Sequence, residues 1–288
     1  MSNIIKKSEV AKMYPRRDPN SHKGQNGRVL IIGGSLNYFG APILAGLGAL
    51  GSGADLVYLL VPECNFDVSR SFYPDFIVRK YPGNFVNSRT LDSAVELLPN
   101  VDAVLMGPGV SEDPESVRII ARIIKKAQCH VVLDAEAIPA IAQLGMQSAS
   151  EHQHHLTITP HRREMDEITE GALPDDPEEL EKVVTDFAHK WGVTILLKGP
   201  RDIIASPHQT TRVNTTGNAG MTVGGTGDIL AGLTASLIAQ HASPYEACQS
   251  AAFLNGAAGD TLLRQKGYNF MATDVALELP YTIHSIVG

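Results

Sequence analysis

The stretch TGNAGMTVGGTGDILAGL, residues 216–233, sets glycines at 217, 220, 224, 225 and 227 ahead of an apolar run, with one carboxylate, Asp228, at the junction. Glycine costs backbone entropy to order, so a fold concentrates it where φ must be positive or where something must approach the backbone closely. Ile229, Leu230, Leu233, Leu237 and Ile238 recur at near-helical spacing, which predicts a helix beginning around Gly227 and Asp228. Glycines at a helix N-terminus make an anion site: the first N–H groups lack intrahelical partners, the dipole is positive there, and phosphate oxygens can reach a backbone without Cβ atoms. A carboxylate beside bound phosphate is unfavourable unless it caps the helix, holds a metal, or takes a proton from an attacking group. Helix cap and catalytic base are both consistent with the spacing.

Two further stretches carry candidate chemistry. KGPRD, Lys198 to Asp202, follows the apolar run VTILL. It reads either as a charged turn between two strands, because Gly-Pro pairs mark turns, or as a phosphate contact through Lys198 and Arg201. In TITPHRREM, His161 sits in a loop with Glu164 one helical turn on; a lone loop histidine is ordinarily solvated. Common nucleotide motifs are missing: no G-x-x-x-x-G-K-[ST] occurs in the glycine stretch, and GGSLNYFG after the first predicted strand lacks G-x-G-x-x-G. The histidines of EHQHH, residues 151–155, lack the H-E-x-x-H spacing and a Cys pair, and read as solvated loop rather than zinc site.

The elements that must position these residues follow a repeated strand-then-helix pattern. RVLIIGG, ADLVYLLVP, DFIVRKY, VDAVLMGPGV, HVVLDAE, HHLTITP and VTILLKG are strand candidates, separated by helical patterns such as PESVRIIARIIKKA, where Val117, Ile120, Ile123 and Ile124 share a face and Arg118, Lys125 and Lys126 lie off it. Continuous apolar strands joined by helices imply a mostly parallel sheet covered on both faces, a three-layer α/β/α fold. In such sheets ligands collect at the carboxyl ends of the strands. The acidic EGALPDDPEEL reads as a surface connection between helices, and no linker or repeat divides the chain, so residues 1–288 are expected to form one domain.

Composition narrows the partners. With 43% hydrophobic and 19% charged residues over 288 positions, a large core is affordable, and disordered or fibrous classes are excluded. The formal net charge of −7 gives no reason to expect nucleic acid or an anionic membrane, so an anionic ligand must be held locally. Cys64, Cys129 and Cys248 are few and widely spaced, which suits reduced thiols used as small buried hydrophobes. The N-terminal MSNIIKKSEVAKMYPRRD has no long apolar segment and no later run is long enough to span a bilayer, so a cytoplasmic location is expected.

A glycine loop of GTGD type opening a helix resembles the anion hole of the ribokinase-like superfamily, in which the loop aspartate deprotonates a substrate hydroxyl during phosphoryl transfer. GRVLIIGGSLNYFGAPILAGLGALGSGADLVYLLVP, MGPGV, LTITPHRREM, LLKGPRDII and NTTGNAGMTVGGTGDILAGLTASLIAQ occur in the order and character of the ADP/ATP-dependent NAD(P)H-hydrate dehydratases, over roughly residues 27–258. That resemblance implies repair of NADHX and NADPHX, the hydrated nicotinamide cofactors, with ADP or ATP as dehydrating agent and Mg²⁺ on its phosphates. It implies Asp228 as base and substrate contact. Ala41, Gly109 and His161 become further substrate contacts, and Lys198, Gly199, Pro200, Arg201, Asp202, Asn218, Gly225, Thr226 and Gly227 become the nucleotide site. No protein ligand to a metal is implied. Ala41 and Gly109 also read as residues for close helix-to-strand packing. NFMATDVALELP resembles the family's final loop and helix. ADP is the expected donor, since the chain lacks a targeting segment and an attached epimerase domain, and a homotetramer is implied. A small-molecule kinase of the same superfamily, such as a hydroxyethylthiazole kinase, and a non-catalytic nucleotide-binding regulator share the loop.

Overall fold

A computed structural model describes residues 3–151, 156–169 and 171–288, and nine strands among them form one sheet. Seven are parallel neighbours in the order β3 (Phe76–Tyr81), β2 (Leu56–Pro62), β1 (Arg28–Ile32), β4 (Ala103–Met106), β5 (His130–Leu133), β6 (Leu156–Ile158) and β7 (Thr194–Leu197). The sequence reading found these seven. One of its two readings of KGPRD implied a strand after that turn, but it named neither β8 (Asp202–Ala205) nor β9 (Arg212–Asn214), short strands that add antiparallel beyond β7. Val29 of β1 lies beside Val57 of β2 on one side and Ala103 of β4 on the other, so the winding reverses between β1 and β4. Such a reversal opens a crevice at the carboxyl ends of the strands.

Strand side chains alternate between two cores. Val29, Ile31, Leu59 and Leu105 face one layer, which holds α2 (Gly40–Gly51), α9 (Thr226–Ala239), α10 (Pro244–Lys266) and α11 (Ala272–Val287). Leu30, Ile32, Leu60 and Met106 face the other, with α4 (Ser88–Leu97), α5 (Pro114–Ile124), α6 (Ala140–Glu151), α7 (Arg162–Thr169) and α8 (Pro177–Trp191). The amphipathic reading of α5 holds, with Ile120, Ile123 and Ile124 buried and Arg118, Lys125 and Lys126 exposed. Asp113 caps its first turn by accepting from Glu115 N at 3.2 Å, and a proline at the first helical position suits that end. Remaining helices are α1 (Lys7–Met13) and α3 (Glu63–Phe72). No helix among the described residues is long and apolar enough to cross a membrane. The expectation of uniformly buried cysteines is corrected: Cys248 is buried, whereas Cys64, at the solvent side of α3, is exposed.

The helix that carries Asp228 is apolar nearly all round, as a helix enclosed on every side must be. It lies against α2 at backbone distance. A Cβ built on Gly232 would come within 1.9 Å of the Ala45 carbonyl oxygen, and one on Gly48 within 2.3 Å of the Ile229 carbonyl oxygen. Ser236 Oγ donates to Ala49 O at 3.1 Å and Gln240 Nε2 to Ser52 O at 2.8 Å, fixing the axial register of the pair. Replacing Gly232 by valine therefore forces the helices apart. Stability is expected to fall by about 3 kcal/mol, the upper range for overpacking, read from urea unfolding midpoints.

Candidate active site

The glycine stretch is ordered by a few specific bonds. Gly225, at φ 103°, is the N-cap of α9, and a Cβ there would meet Leu44 Cδ1 at 2.5 Å, so both its conformation and its surroundings demand glycine. Thr226 folds its hydroxyl back onto the carbonyls of Met221 (2.7 Å) and Val223 (3.2 Å), closing the preceding turn. Asn218 accepts from Gly220 N at 3.0 Å and donates to Asp260 of α10 at 3.0 Å; the same aspartate accepts from Gly217 N. The helix starts at Thr226, one residue earlier than the apolar spacing predicted.

Asp228 thus lies inside the first turn and is not the cap. Its carboxylate makes no hydrogen bond among the described residues, which removes the plain capping role. Half-burial, with Asp134 nearby, raises its pKa to about 8; Lys198 opposes the shift, and Glu136 and Glu164 add to it. The amides of the turn, a lysine and a carboxyl of raised pKa therefore meet in one place.

Lys198 continues β7 past its last residue. Its N–H donates to Pro160 O at 2.7 Å, and its Nζ reaches Asp134 Oδ1 at 2.7 Å. A Cβ on Gly227 would sit 3.4 Å from that Nζ, so the ammonium lies directly beside the glycine turn. Burial pulls the Lys198 pKa down, but Asp134 and Glu164 outweigh it and the net shift is upward, so the side chain stays charged. Burial, reinforced by Asp134, lifts the Glu164 carboxyl against the pull of Lys198.

The remaining predicted residues divide. Gly199 and Pro200 are exposed in the β7–β8 turn, so the turn reading of KGPRD is correct as a description of the backbone. Asp202 accepts from Gly199 N at 3.0 Å and from Asn214 Nδ2 at 2.9 Å; burial raises its pKa to about 6 against those bonds. Arg201 is exposed, its guanidinium 4.0 Å from Glu181 of α8. His161 and Glu164 form a reciprocal cap at the start of α7: His161 N donates to Glu164 Oε2 at 2.7 Å, and Glu164 N donates to His161 Nδ1 at 3.1 Å. Ala41 and Gly109 meet across the crevice between β1 and β4, where a Cβ on Gly109, at φ 70°, would be 3.0 Å from Ala41 Cβ and 2.7 Å from Tyr38 O. Residues 152–155, the histidines of the EHQHH run, lie outside the described residues.

Asp134 and Thr159 were missed by the sequence reading, although both sit in stretches identified as strands. Their signal was available: a polar residue directly after an apolar parallel strand stands at the edge where ligands gather. Two surface clefts of about 470 and 530 Å³ lie at the opposite, amino end of the sheet, lined by Arg16, Arg17 and Gln240, and share no residue with this site.

A parallel sheet with reversed winding, two antiparallel edge strands, and a glycine turn opening a buried helix beside a lysine together define a ribokinase-like fold. Within that class the chain belongs to the NAD(P)H-hydrate dehydratase family, whose profile matches residues 29–281. A bifunctional NAD(P)H-hydrate repair enzyme of Methanothermobacter thermautotrophicus is 39% identical over 271 residues, 92% of this chain and 51% of that protein. The chain spans about half the length of the bifunctional relatives it matches. The ADP-dependent (S)-NAD(P)H-hydrate dehydratase of Cenarchaeum symbiosum is 34% identical over 281 residues, covering 97% of this chain and 96% of that one. An ADP/ATP-dependent NAD(P)H-hydrate dehydratase from Bacillus subtilis, co-crystallized with ATP/Mg²⁺, shares the fold with a TM-score of 0.83 at 24% identity over 98% of both chains.

The raised pKa of Asp228 has a thermodynamic consequence. Between about pH 4 and pH 8 the folded chain keeps a proton on Asp228 that the unfolded chain releases, so stability falls as pH rises through that window. Asp228→Asn is expected to remove this loss, matching the parent near pH 4 and exceeding it at pH 8 by on the order of 1–2 kcal/mol after allowance for partial exposure. Urea unfolding at the two pH values measures the difference.

Proposed function

We propose that this chain dehydrates hydrated reduced nicotinamide cofactors, (S)-NADHX and (S)-NADPHX, using ADP, and that residues 1–288 act as one such domain. The observation that carries the reading is Asp228: a carboxyl without hydrogen bonds among the described residues, its basicity raised by its surroundings to a pKa of about 8, beside the first amides of α9 and an ammonium. A pure nucleotide binder has no use for such a group next to phosphate.

In this reaction Asp228 takes the proton of the hydrate's C6 hydroxyl while its oxygen attacks the terminal phosphorus of ADP, and AMP leaves. Hydroxide is a poor leaving group and phosphate a good one. The electron pair of the ring nitrogen then expels phosphate from C6, and loss of a proton from C5 restores the dihydropyridine, giving NAD(P)H, AMP and phosphate. Backbone N–H groups at Gly225, Thr226 and Gly227, with Lys198, stabilise charge on the transferring phosphoryl group. Gly199, Pro200, Arg201 and Asp202 line the nucleotide through their turn, and Asn218 orders the opposite side of it. Ala41 and Gly109 leave room for the dinucleotide, and His161 contacts it from α7.

Mg²⁺ fits the oxygen-rich surroundings. Among the described residues no three His, Cys, Asp or Glu side chains converge as a metal cage, so the ion would be held through the nucleotide's phosphates and water, where it would add positive charge to that of Lys198, which is partly offset by Asp134. We further propose a cytoplasmic homotetramer. The exposed Leu277 and Tyr281 of α11 offer it an apolar contact face, which sedimentation of the purified chain would test.

The decisive assay follows recovery of dihydronicotinamide absorbance from NADHX with ADP, and then with ATP, where a higher kcat/KM for ADP is expected. A stable phosphorylated product without NADH recovery would instead favour a small-molecule kinase. Asp228→Asn is expected to lower kcat by roughly 10²- to 10⁴-fold, the range for loss of a general base, while ADP still binds; near-parental turnover in that variant would refute the assigned role.

A further inference from the structure

Lys198 has Asp134, Glu164 and Asp228 within electrostatic reach, and the one it bonds is Asp134. An ammonium closed onto Asp228 would quench the base and abandon the phosphate position beside Gly227. What prevents this is the rigidity of Asp134. It is 2% exposed, accepts from Thr159 Oγ1 at 2.7 Å, and donates its backbone N–H to Met106 O at 3.0 Å. Its carbonyl oxygen packs onto Gly107, where a Cβ would lie 1.7 Å away, and the next residue, Ala135, adopts a left-handed φ of 49°. A non-glycine residue in that region persists only where the surrounding fold over-determines it.

We propose that Asp134 is a positioning residue for the nucleotide: it anchors Lys198 beside Gly227 so that the ammonium meets the phosphates of ADP and stays off Asp228. The inference rests on the nucleotide reading given above, and its sign separates it from simple electrostatics. The groups facing Asp228 from neighbouring elements are Asp134 and Glu136 after β5, Glu164 on α7 and Lys198 after β7. If Asp134 acted only as one more negative charge in this set, Asp134→Asn would tighten ADP binding by removing repulsion. Acting through Lys198, its loss weakens ADP binding.

Calorimetric titration of ADP with Mg²⁺ into the parent chain, Asp134→Asn, Lys198→Met and the double variant decides between them. Expected are a Kd raised about tenfold in Asp134→Asn, as for loss of a charge-assisted contact, and equal Kd values for Lys198→Met and the double variant, where nothing remains to be positioned. An unchanged or lowered Kd in folded Asp134→Asn overturns the inference. If that variant does not fold, Thr159→Val carries the test: it removes one hydrogen bond from Asp134, an intermediate rise in Kd is expected, and an unchanged Kd overturns the proposal. Turnover of NADHX is assayed on the parent in parallel. Absence of turnover with the binding pattern intact would overturn the dehydratase reading and leave this one standing, and a parent that does not bind ADP would overturn both.

Discussion

Folding drives a carboxylate into a place where water is scarce and three other carboxylates face it, and one ammonium makes that tolerable. Asp134, Glu136 and Glu164 face Asp228 at the carboxyl edge of the sheet, with Lys198 as the ammonium among them. Removing charged groups from water is costly, and the cost is offset only when partners and geometry are fixed. The site therefore constrains the scaffold. Asp134 must follow β5, Lys198 must extend β7, and Thr159 must stand between them after β6, because only adjacent parallel strands hold three such side chains in a row at hydrogen-bond distance.

The fourth participant comes from a different layer, and its position is set by packing rather than by the sheet. Asp228 is carried on α9, and α9 is fixed by its backbone approach to α2 through Gly48 and Gly232. Two helices in that contact have almost no freedom to slide, since a shift would drive Cα atoms into carbonyl oxygens. Rigidity at the interface becomes precision at the helix's first turn, where the amides and the Asp228 carboxyl lie. The unfavourable environment of Asp228 is thus sustained by apolar burial along the rest of the helix, an example of local strain in charge being supported by distant packing.

Much of this was legible in the sequence. The parallel core strands announce themselves as apolar runs, and the glycine run before Ile229 marked the turn that opens α9. Three features were not. β8 and β9 are too short for their alternation to stand out beside a Gly-Pro turn, so the edge of the sheet was invisible. Asp134 sits beyond HVVL as one polar residue among many, and its partner Lys198 is 64 positions away, a pairing that only strand order reveals. The 4.0 Å approach of the exposed Arg201 guanidinium to Glu181 of α8 joins segments 20 positions apart, which KGPRD by itself does not disclose. Residue type and spacing disclose local chemistry; which groups share a site is a property of topology.

Asp202 and Asp228 show how the same side chain is assigned opposite work by its surroundings. Burial raises the pKa of both, to about 6 and about 8. Asp202 accepts hydrogen bonds from Gly199 N and Asn214 Nδ2, so its lone pairs are committed and its charge is spent on holding the Lys198 turn against β9. Asp228 accepts none among the described residues, and its oxygens remain uncommitted. Burial and like charges destabilise the charged form of Asp228 while no donor among the described residues satisfies it, the condition under which a carboxyl gains basicity. In the opening GTGD, the glycines permit close approach to the first amides of the helix, and among the described residues nothing bonds the aspartate that follows them.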